Sequence, residues 1–503
     1  MKKISITLLI LGIGIVGCED FLEVTPETFI TPTDFYNSED DIDRSVAAIY
    51  NRNRSLFNSL MWQFGEMRSD NTSFFFNPGD RGGFNTEAID LFLMDPSNGR
   101  VSEFWNALYS GISRCNYVLL QIDGIDFVSN ETKEIRRAEA LFFRSWFYFI
   151  LVQLWGDVPL SNAIITTADE GYTSTFTEKI SGSVIYDSIH SDMEKAIDIL
   201  PQWGPSDVGR ASKGAALMLR AKMYMAEQNF AAAIPLLEEV TTLGYELLDD
   251  YEAIFNPDNK NHRESVFEIQ YSFELNQSSN FLSSFVPWNS GTDILGLGQN
   301  ANSRAGLNQP TTDIMSLYRE GDVRKDVSIA NYVVLNNEAD DSDNDTIPYL
   351  GKYAYEFEDI GAQDVNWPMF RYADALLMLA ESYNEVNPLD QNAIGIVNVI
   401  RLRAGIPPLS DVSTDPDLVV STQDELREAI YRERRLELAF ENHRWFDLLR
   451  TGRVAQVMTA HGIRQKDEKE TVLEEAYLDI RTVLPVPSSQ VIQFGTEQSD
   501  PWK

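Results

Sequence analysis

Two stretches of this chain set flat aromatic rings beside amides and charged groups at close spacing. The first, D-N-T-S-F-F-F-N-P-G-D-R, gathers Asp70, Asn71, Phe74, Phe75, Phe76 and Arg81 in a glycine-containing, loop-like run. The second passes through Asn280, Phe281, Phe285, Trp288, Asn289, Gln299 and Asn300. Aromatic faces stack on the apolar C–H face of a sugar, while amides, carboxylates and guanidiniums meet its hydroxyls. Trp288, Asn289, Phe75, Phe76, Asp70, Asn71 and Arg81 are therefore the candidate ligand contacts. Three successive phenylalanines cannot share one face of an extended segment, so at least one of Phe74, Phe75 and Phe76 is expected to point at solvent. Trp288 follows Pro287 inside a polar loop, and its ordinary alternative is a ring pinned beneath that loop.

Motifs of catalysis are missing. The chain has no G-x-S-x-G, H-E-x-x-H, G-x-x-x-x-G-K-[ST] or C-x-x-C, and His190, His262, His443 and His461 are far apart in sequence. With 77 acidic residues, carboxylate pairs are too numerous for any one to argue for glycoside hydrolysis. The run A-D-D-S-D-N-D-T places Asp341, Asp343 and Asp345 at the spacing of half a calcium loop, but Thr346 and Lys352 stand where glycine and a bidentate glutamate are needed. It reads as a solvated acidic loop, and no metal or cofactor is expected. Cys115 lies in a helical pattern and reads as a small buried side chain.

The elements that must position these residues read as mostly helical. Thr422 and Glu425 form a capping box at the head of a helix whose stripe, Leu426, Ala429, Ile430, Leu436 and Phe440, also carries Glu433 and Glu437. Carboxylates on a buried face need partners, expected among Arg434, Arg435, Arg444 or arginines elsewhere in the chain. Helical spacing also marks Ile42 to Tyr50, Phe104 to Ile122, Lys133 to Trp155 and Ser183 to Leu200. The third of these is apolar on most sides, as a helix inside a bundle is, and Gly156 and Pro159 stop it. Trp62, Trp105, Trp146, Trp155, Trp367 and Trp445 read as core. A-S-K-G-A-A-L-M-L-R-A-K-M-Y-M-A-E-Q-N-F-A-A-A-I places small residues, Tyr224, Phe230 and Ala233 much as a tetratricopeptide repeat does, and a second such pair spans Arg371 to Ala404. The expectation is a scaffold of about four helical hairpins with an N-terminal helical part, 35–247, a loop-rich insert, 248–369, and a C-terminal helical part, 370–503. Within the insert, V-F-E-I-Q-Y-S-F alternates as a strand does.

The formal net charge of -36 excludes a nucleic-acid partner, because no basic footprint exists. M-K-K precedes an apolar run from Ile4 to Val16, too short to span a bilayer and suited to a signal peptide. Gly17-Cys18 then looks like a lipobox, giving a leader over 1–17 and a lipidated tether over 18–34 with Cys18 as the modified residue. Cleavage leaves Cys115 alone, so the mature chain can form no internal disulfide.

The run R-E-R-R-L-E-L-A-F-E-N-H-R-W-F-D-L-L-R resembles the C-terminal signature of the SusD/RagB family, surface lipoproteins that capture nutrients for outer-membrane transporters in Bacteroidetes. Many members have glycine where Asn442 stands, and asparagine is the next most tolerant of a left-handed bend. The opening C-E-D-F-L, A-E-A-x-x-F-R-S-W-F-Y running into W-G-D-V-P-L, and the P-T-T-D segment at Pro310 are similar to further family blocks. Glu19 and Asp20 after Cys18 resemble the family's surface-export signal. The resemblance implies a mainly helical, tetratricopeptide-like fold with a loop-rich subdomain. It further implies a non-enzymatic lipoprotein on the outer face of the outer membrane that binds a glycan and delivers it to a SusC-like TonB-dependent transporter. Peptide capture on the same fold, a surface glycosidase and a helical-repeat adaptor are the alternatives. No site residue transfers from the family by motif.

Overall fold

The computed structural model describes residues 36–74, 83–161, 178–202, 208–287, 290–296, 306–334, 345–357, 363–469 and 471–503. The leader, Cys18 and the tether lie outside the described residues.

Helices dominate, as the sequence leads one to expect. The chain enters α1 (Glu39–Ser59), whose N-cap Ser38 accepts from the Asp41 N–H and whose first turn is acidic, complementing the helix dipole. Then follow α2 (Gly99–Gln121), α3 (Asn130–Trp155), α4 (Gly182–Ile199), α5 (Lys213–Ala226) and α6 (Phe230–Thr241). Each packs on its neighbour in sequence, and α3, buried on nearly every side, lies against α1, α2 and α4. At its end Gly156 takes φ 70°, a conformation a residue with a Cβ adopts only under strain.

The stack resumes after the insert with α7 (Tyr372–Val386), α8 (Gln391–Arg403) and α9 (Gln423–Glu437). α6 packs directly on α7, and α7 carries α8 and α9 on other sides, so the residues between are an excursion from a continuous pile of helices. A large core runs through the molecule, and a smaller one joins α7, α8 and α9 through Leu377, Val397, Ile400, Leu426 and Ile430.

The excursion begins and ends on one ladder. β4 (Ser265–Ile269) pairs antiparallel with β8 (Trp367–Arg371), Ser265 opposite Arg371 and Ile269 opposite Trp367. The alternating V-F-E-I is a strand as expected, but all five of its residues are buried, so its alternation does not mark a wet face. Inside the excursion, β6 (Ile329–Val334) and β7 (Asp345–Leu350) form a hairpin that the acidic pattern did not suggest. Two shorter ladders join β1 (Thr72–Ser73) to β5 (Gln309–Pro310) and β2 (Val158–Pro159) to β3 (Lys179–Ile180). The six tryptophans read as core are all buried, and Cys115 is fully so.

The stretch from Ser421 onward is two helices rather than one. The capping box of Thr422 and Glu425 is present, but α9 stops at Glu437, and α10 (Arg444–Arg450) starts beyond a turn in which Phe440 has φ 68° and Asn442 φ 70°. The bend at Asn442 is thus realised as a left-handed residue.

Candidate functional site

The turn between α9 and α10 is held from inside. The Glu66 carboxylate, fully buried on a π-helical turn (Gln63–Met67), accepts the backbone N–H of Phe440 and of Asn442, each at 3.0 Å, and the Asn71 amide at 2.8 Å. Gly65 gives the turn room, because a Cβ there would sit 2.8 Å from the Asn442 carbonyl oxygen. Burial pushes the Glu66 carboxyl up to about 7, against the pull of these donors.

Below the turn lies a closed set of charges. Arg324, Lys352, Arg371, Arg401 and Arg403 meet Asp322, Glu264, Glu433, Glu437 and Glu441 in one connected network, no side chain more than 6% exposed. Glu437 alone takes Arg371 Nη1 at 2.5 Å, Arg403 Nη2 at 2.5 Å and Arg324 Nη1 at 3.2 Å. Burial by itself would raise its carboxyl, but the three guanidiniums overcome that and hold it well below the ordinary range. The partners of Glu433 and Glu437 are thus the distant arginines. Arg434 instead pairs with Asp374 and Asp447, and Arg444 with Asp70. Five cations against five carboxylates make a buried framework whose charges balance.

Asp70 and Asn71, read from the sequence as ligand contacts, are instead buried in a separate set of contacts with Arg435, Arg444 and Glu66. Asp70 is 1% exposed and meets Arg444 Nε at 2.7 Å and Arg435 Nη2 at 2.9 Å. Burial would raise its carboxyl, and Arg435 and Arg444 hold it well below the carboxylate range. The Asn71 side chain donates to Glu66 and accepts from Arg435 Nε at 2.8 Å. Phe281 and Phe285 are buried against Trp367, with Tyr353 stacked on that tryptophan, so these rings are core as well. Phe75, Phe76, Arg81, Trp288, Asn289, Gln299 and Asn300 lie outside the described residues.

The described residues on either side of those segments are brought together. In the β1–β5 ladder Thr72 faces Pro310 and Ser73 faces Gln309, and Thr72 Oγ1 bonds Asn308 Oδ1 at 2.5 Å. Because the pairing is antiparallel, the chain running on from Ser73 and the chain arriving at Asn308 leave the same end of one ladder. Gly306 N–H reaches Val286 O at 2.7 Å and Leu307 N–H reaches Ser284 O at 2.9 Å, which sets Pro287 beside the same edge. The Phe74 N–H is tied to Asp90 Oδ2 at 2.8 Å, Asp90 also accepts Tyr477 Oη at 3.2 Å, and Lys469 Nζ reaches Ser73 Oγ at 2.5 Å. Burial pushes the Asp90 carboxyl up to about 7. The two aromatic stretches found in the sequence are anchored, at their described ends, to one rigid edge. The pairing of β1 with β5 was not legible, since neither two-residue strand has a pattern of its own.

Cys115 and the four histidines are drawn into the interior of the fold or into pairs. Burial pushes the Cys115 thiol far up. His190 Nε2 lies 2.7 Å from Glu227, His262 Nε2 lies 3.1 Å from the Ile254 carbonyl, and burial pushes His443 and His461 down to about 4. Among the described residues no group of three metal-ligating side chains occurs, and no helix is long and apolar enough to cross a membrane. A cavity of about 60 Å3 among Trp146, Met225, Phe370 and Phe446 is far below the volume of sites that hold drug-sized ligands.

Two family models match the chain: one described as the SusD family over residues 263–492, and one described as starch-binding, associating with the outer membrane, over residues 20–225. SusD-like protein P25 of Formosa agariphila is 30% identical over 88% of this chain and 88% of its own length. The starch-binding protein SusD of Bacteroides thetaiotaomicron is 24% identical over 35% of this chain and 31% of its own. Among solved structures, a laminarin binding SusD-like protein superposes with a TM-score of 0.74 at 23% identity, covering 92% of this chain and 100% of that one. Surface glycan-binding protein A from Bacteroides thetaiotaomicron, in complex with laminarihexaose, gives 0.71 at 20% identity, covering 92% and 100%. The latter two establish a shared fold; with the P25 relationship across nearly the whole sequence and the two models covering both halves, the chain belongs to the SusD family.

Proposed function

We propose that this protein is a cell-surface lipoprotein, anchored through Cys18, that binds a glycan without cleaving it. It then delivers that glycan to a SusC-like TonB-dependent transporter in the outer membrane. The observation that carries the binding role is the convergence of residues 74 and 308, with Pro287 beside them, on one end of the β1–β5 ladder. Aromatic and amide residues on loops mounted on a rigid edge suit a flat, hydroxyl-rich ligand. The ligands for which relatives are named, starch and laminarin, support the same class. In this reading Trp288, Phe75 and Phe76 supply stacking faces, and Asn289 and Arg81 supply hydrogen bonds, while Asp70 and Asn71 hold the edge in place from behind.

Native affinity electrophoresis of the chain from Glu19 onward, through gels containing plant, host and microbial polysaccharides, tests it. Retardation by one polymer, without released sugar and abolished by Trp288→Ala, is the expected result. Release of sugar would refute the non-enzymatic role. Binding unchanged by Trp288→Ala would remove the site from this edge.

A further inference from the structure

Helices α1 and α2 run antiparallel and leave between them a groove of about 440 Å3, within the size range of small-ligand sites. Its floor is Leu56 and Leu60; its walls present the Ser55, Ser59 and Ser110 hydroxyls and the Asn106 amide. The residues recur at three and four positions on each helix, so the groove is a property of two facing stripes rather than of a loop. The Ser55 and Ser59 hydroxyls donate to carbonyls of their own helix, which leaves their lone pairs directed outward as acceptors.

One end of the groove is positive and unanswered. Arg52 lines it, with its Nε buried and without a hydrogen-bond partner. Arg114 is close enough to act on it: burial first, and then the Arg114 charge, lower the affinity of Arg52 for its proton. No carboxylate among the described residues pairs with either arginine. In a chain with 77 acidic and 41 basic residues, most arginines find an internal partner, as the buried network illustrates. Arg52 in the groove wall and Arg114, exposed one turn beyond Ser110 on the same helical stripe, put two guanidiniums without a carboxylate partner among the described residues toward one end of a ligand-sized groove, an arrangement suited to an anion. At the other end Glu103 is held by Arg100 at 2.7 Å, so the groove is polar along its length and repels an anion there. We propose that this groove binds an acidic saccharide, its carboxylate or sulfate group on Arg52 and Arg114 and its hydroxyls along the serine and asparagine walls. It uses none of the loop residues assigned above and does not depend on them.

Isothermal titration of the mature chain with a hexagalacturonate, a sulfated galactan hexasaccharide and neutral maltohexaose separates the possibilities. The variants are Arg52→Gln/Arg114→Gln, which removes the charge, and Ser110→Phe, which fills the groove and leaves both arginines. At least one acidic probe is expected to bind, to weaken with added salt, and to lose about tenfold or more in affinity in each variant, near-UV circular dichroism being unchanged. The first probe reports a carboxylate, the second a sulfate. Absence of binding by both acidic probes overturns the proposal. So does a loss in the arginine variant with none in Ser110→Phe, which would mean diffuse charge attraction. Binding of any neutral glycan that responds to Trp288→Ala, and not to these variants, leaves the loop site standing whichever way the groove falls.

Discussion

Replacing Glu437 by glutamine tests whether the ten-charge network is a neutral unit. The change keeps size and the backbone carbonyl that accepts from Arg371 Nη2 and Tyr251 Oη, but removes the charge that faces Arg324, Arg371 and Arg403. It also turns an N–H2 toward one of those guanidiniums. Five buried cations then face four carboxylates at positions where no side chain is more than 6% exposed. Removing one partner from a buried pair costs about 3–5 kcal/mol, because the remaining charge is uncompensated. Arg371 and Arg324 keep other partners, so the lower part of that range is expected. Urea unfolding at pH 7, followed by tryptophan fluorescence and circular dichroism, measures the loss as a shift of midpoint. The double variant Glu437→Gln/Arg403→Gln restores neutrality and is expected to be less damaged than the sum of its single changes by about 1–3 kcal/mol. Because the folded carboxyl of Glu437 lies below its unfolded value of 4.5, its stabilisation is present above that pH and is lost as pH falls below it. The deficit of the variant should therefore shrink in acid. A loss under about 1 kcal/mol at pH 7, or strict additivity in the double variant, would refute the view of the network as one balanced set.

Asp90 carries the opposite sign: its carboxyl is raised from 3.8 to about 7, so the folded state is favoured increasingly as pH falls through that window. Asp90→Asn should therefore lose ground to the parent chain between pH 7 and pH 4 in parallel urea melts; a constant difference would show that Asp90 is not buried as described. At the left-handed turn, Asn442→Gly should be tolerated within about 1 kcal/mol and Asn442→Val should cost clearly more, in thermal melts, because a β-branched residue resists φ 70°. Equal effects would mean that the turn rearranges.

Much of the scaffold was legible because its signals are local. Caps such as Thr422 with Glu425, the all-round apolarity of Ala140 to Trp155, and Gly156 at a helix end each depend on residues within a few positions. What the sequence could not carry was pairing across distance. Asp70 and Asn71 sit in a polar, glycine-containing neighbourhood that reads as a loop, and only the fold brings Arg435 and Arg444 onto them. Phe281 and Phe285 likewise look exposed among amides until Trp367 arrives from the far end of the insert. The hairpin of β6 and β7 was hidden because the acidic residues between its strands dominate the local pattern. Glu433 and Glu437 stand between these cases: their place on an apolar stripe signalled a need for partners, and the partners' identity awaited the structure.

The ten-charge network also constrains the order in which the chain can condense. Its members run from Glu264 to Glu441, and the carboxylates at 433, 437 and 441 leave the ribosome last. Until they appear, Arg324, Lys352, Arg371, Arg401 and Arg403 have only Glu264 and Asp322 to share, and remain better solvated than buried. Closing contacts over such separations costs chain entropy before any charge is neutralised, so the insert and α7 to α9 should lock together late and in one step. The helices from α1 to α6, which pack largely on their neighbours in sequence, are free to collapse earlier.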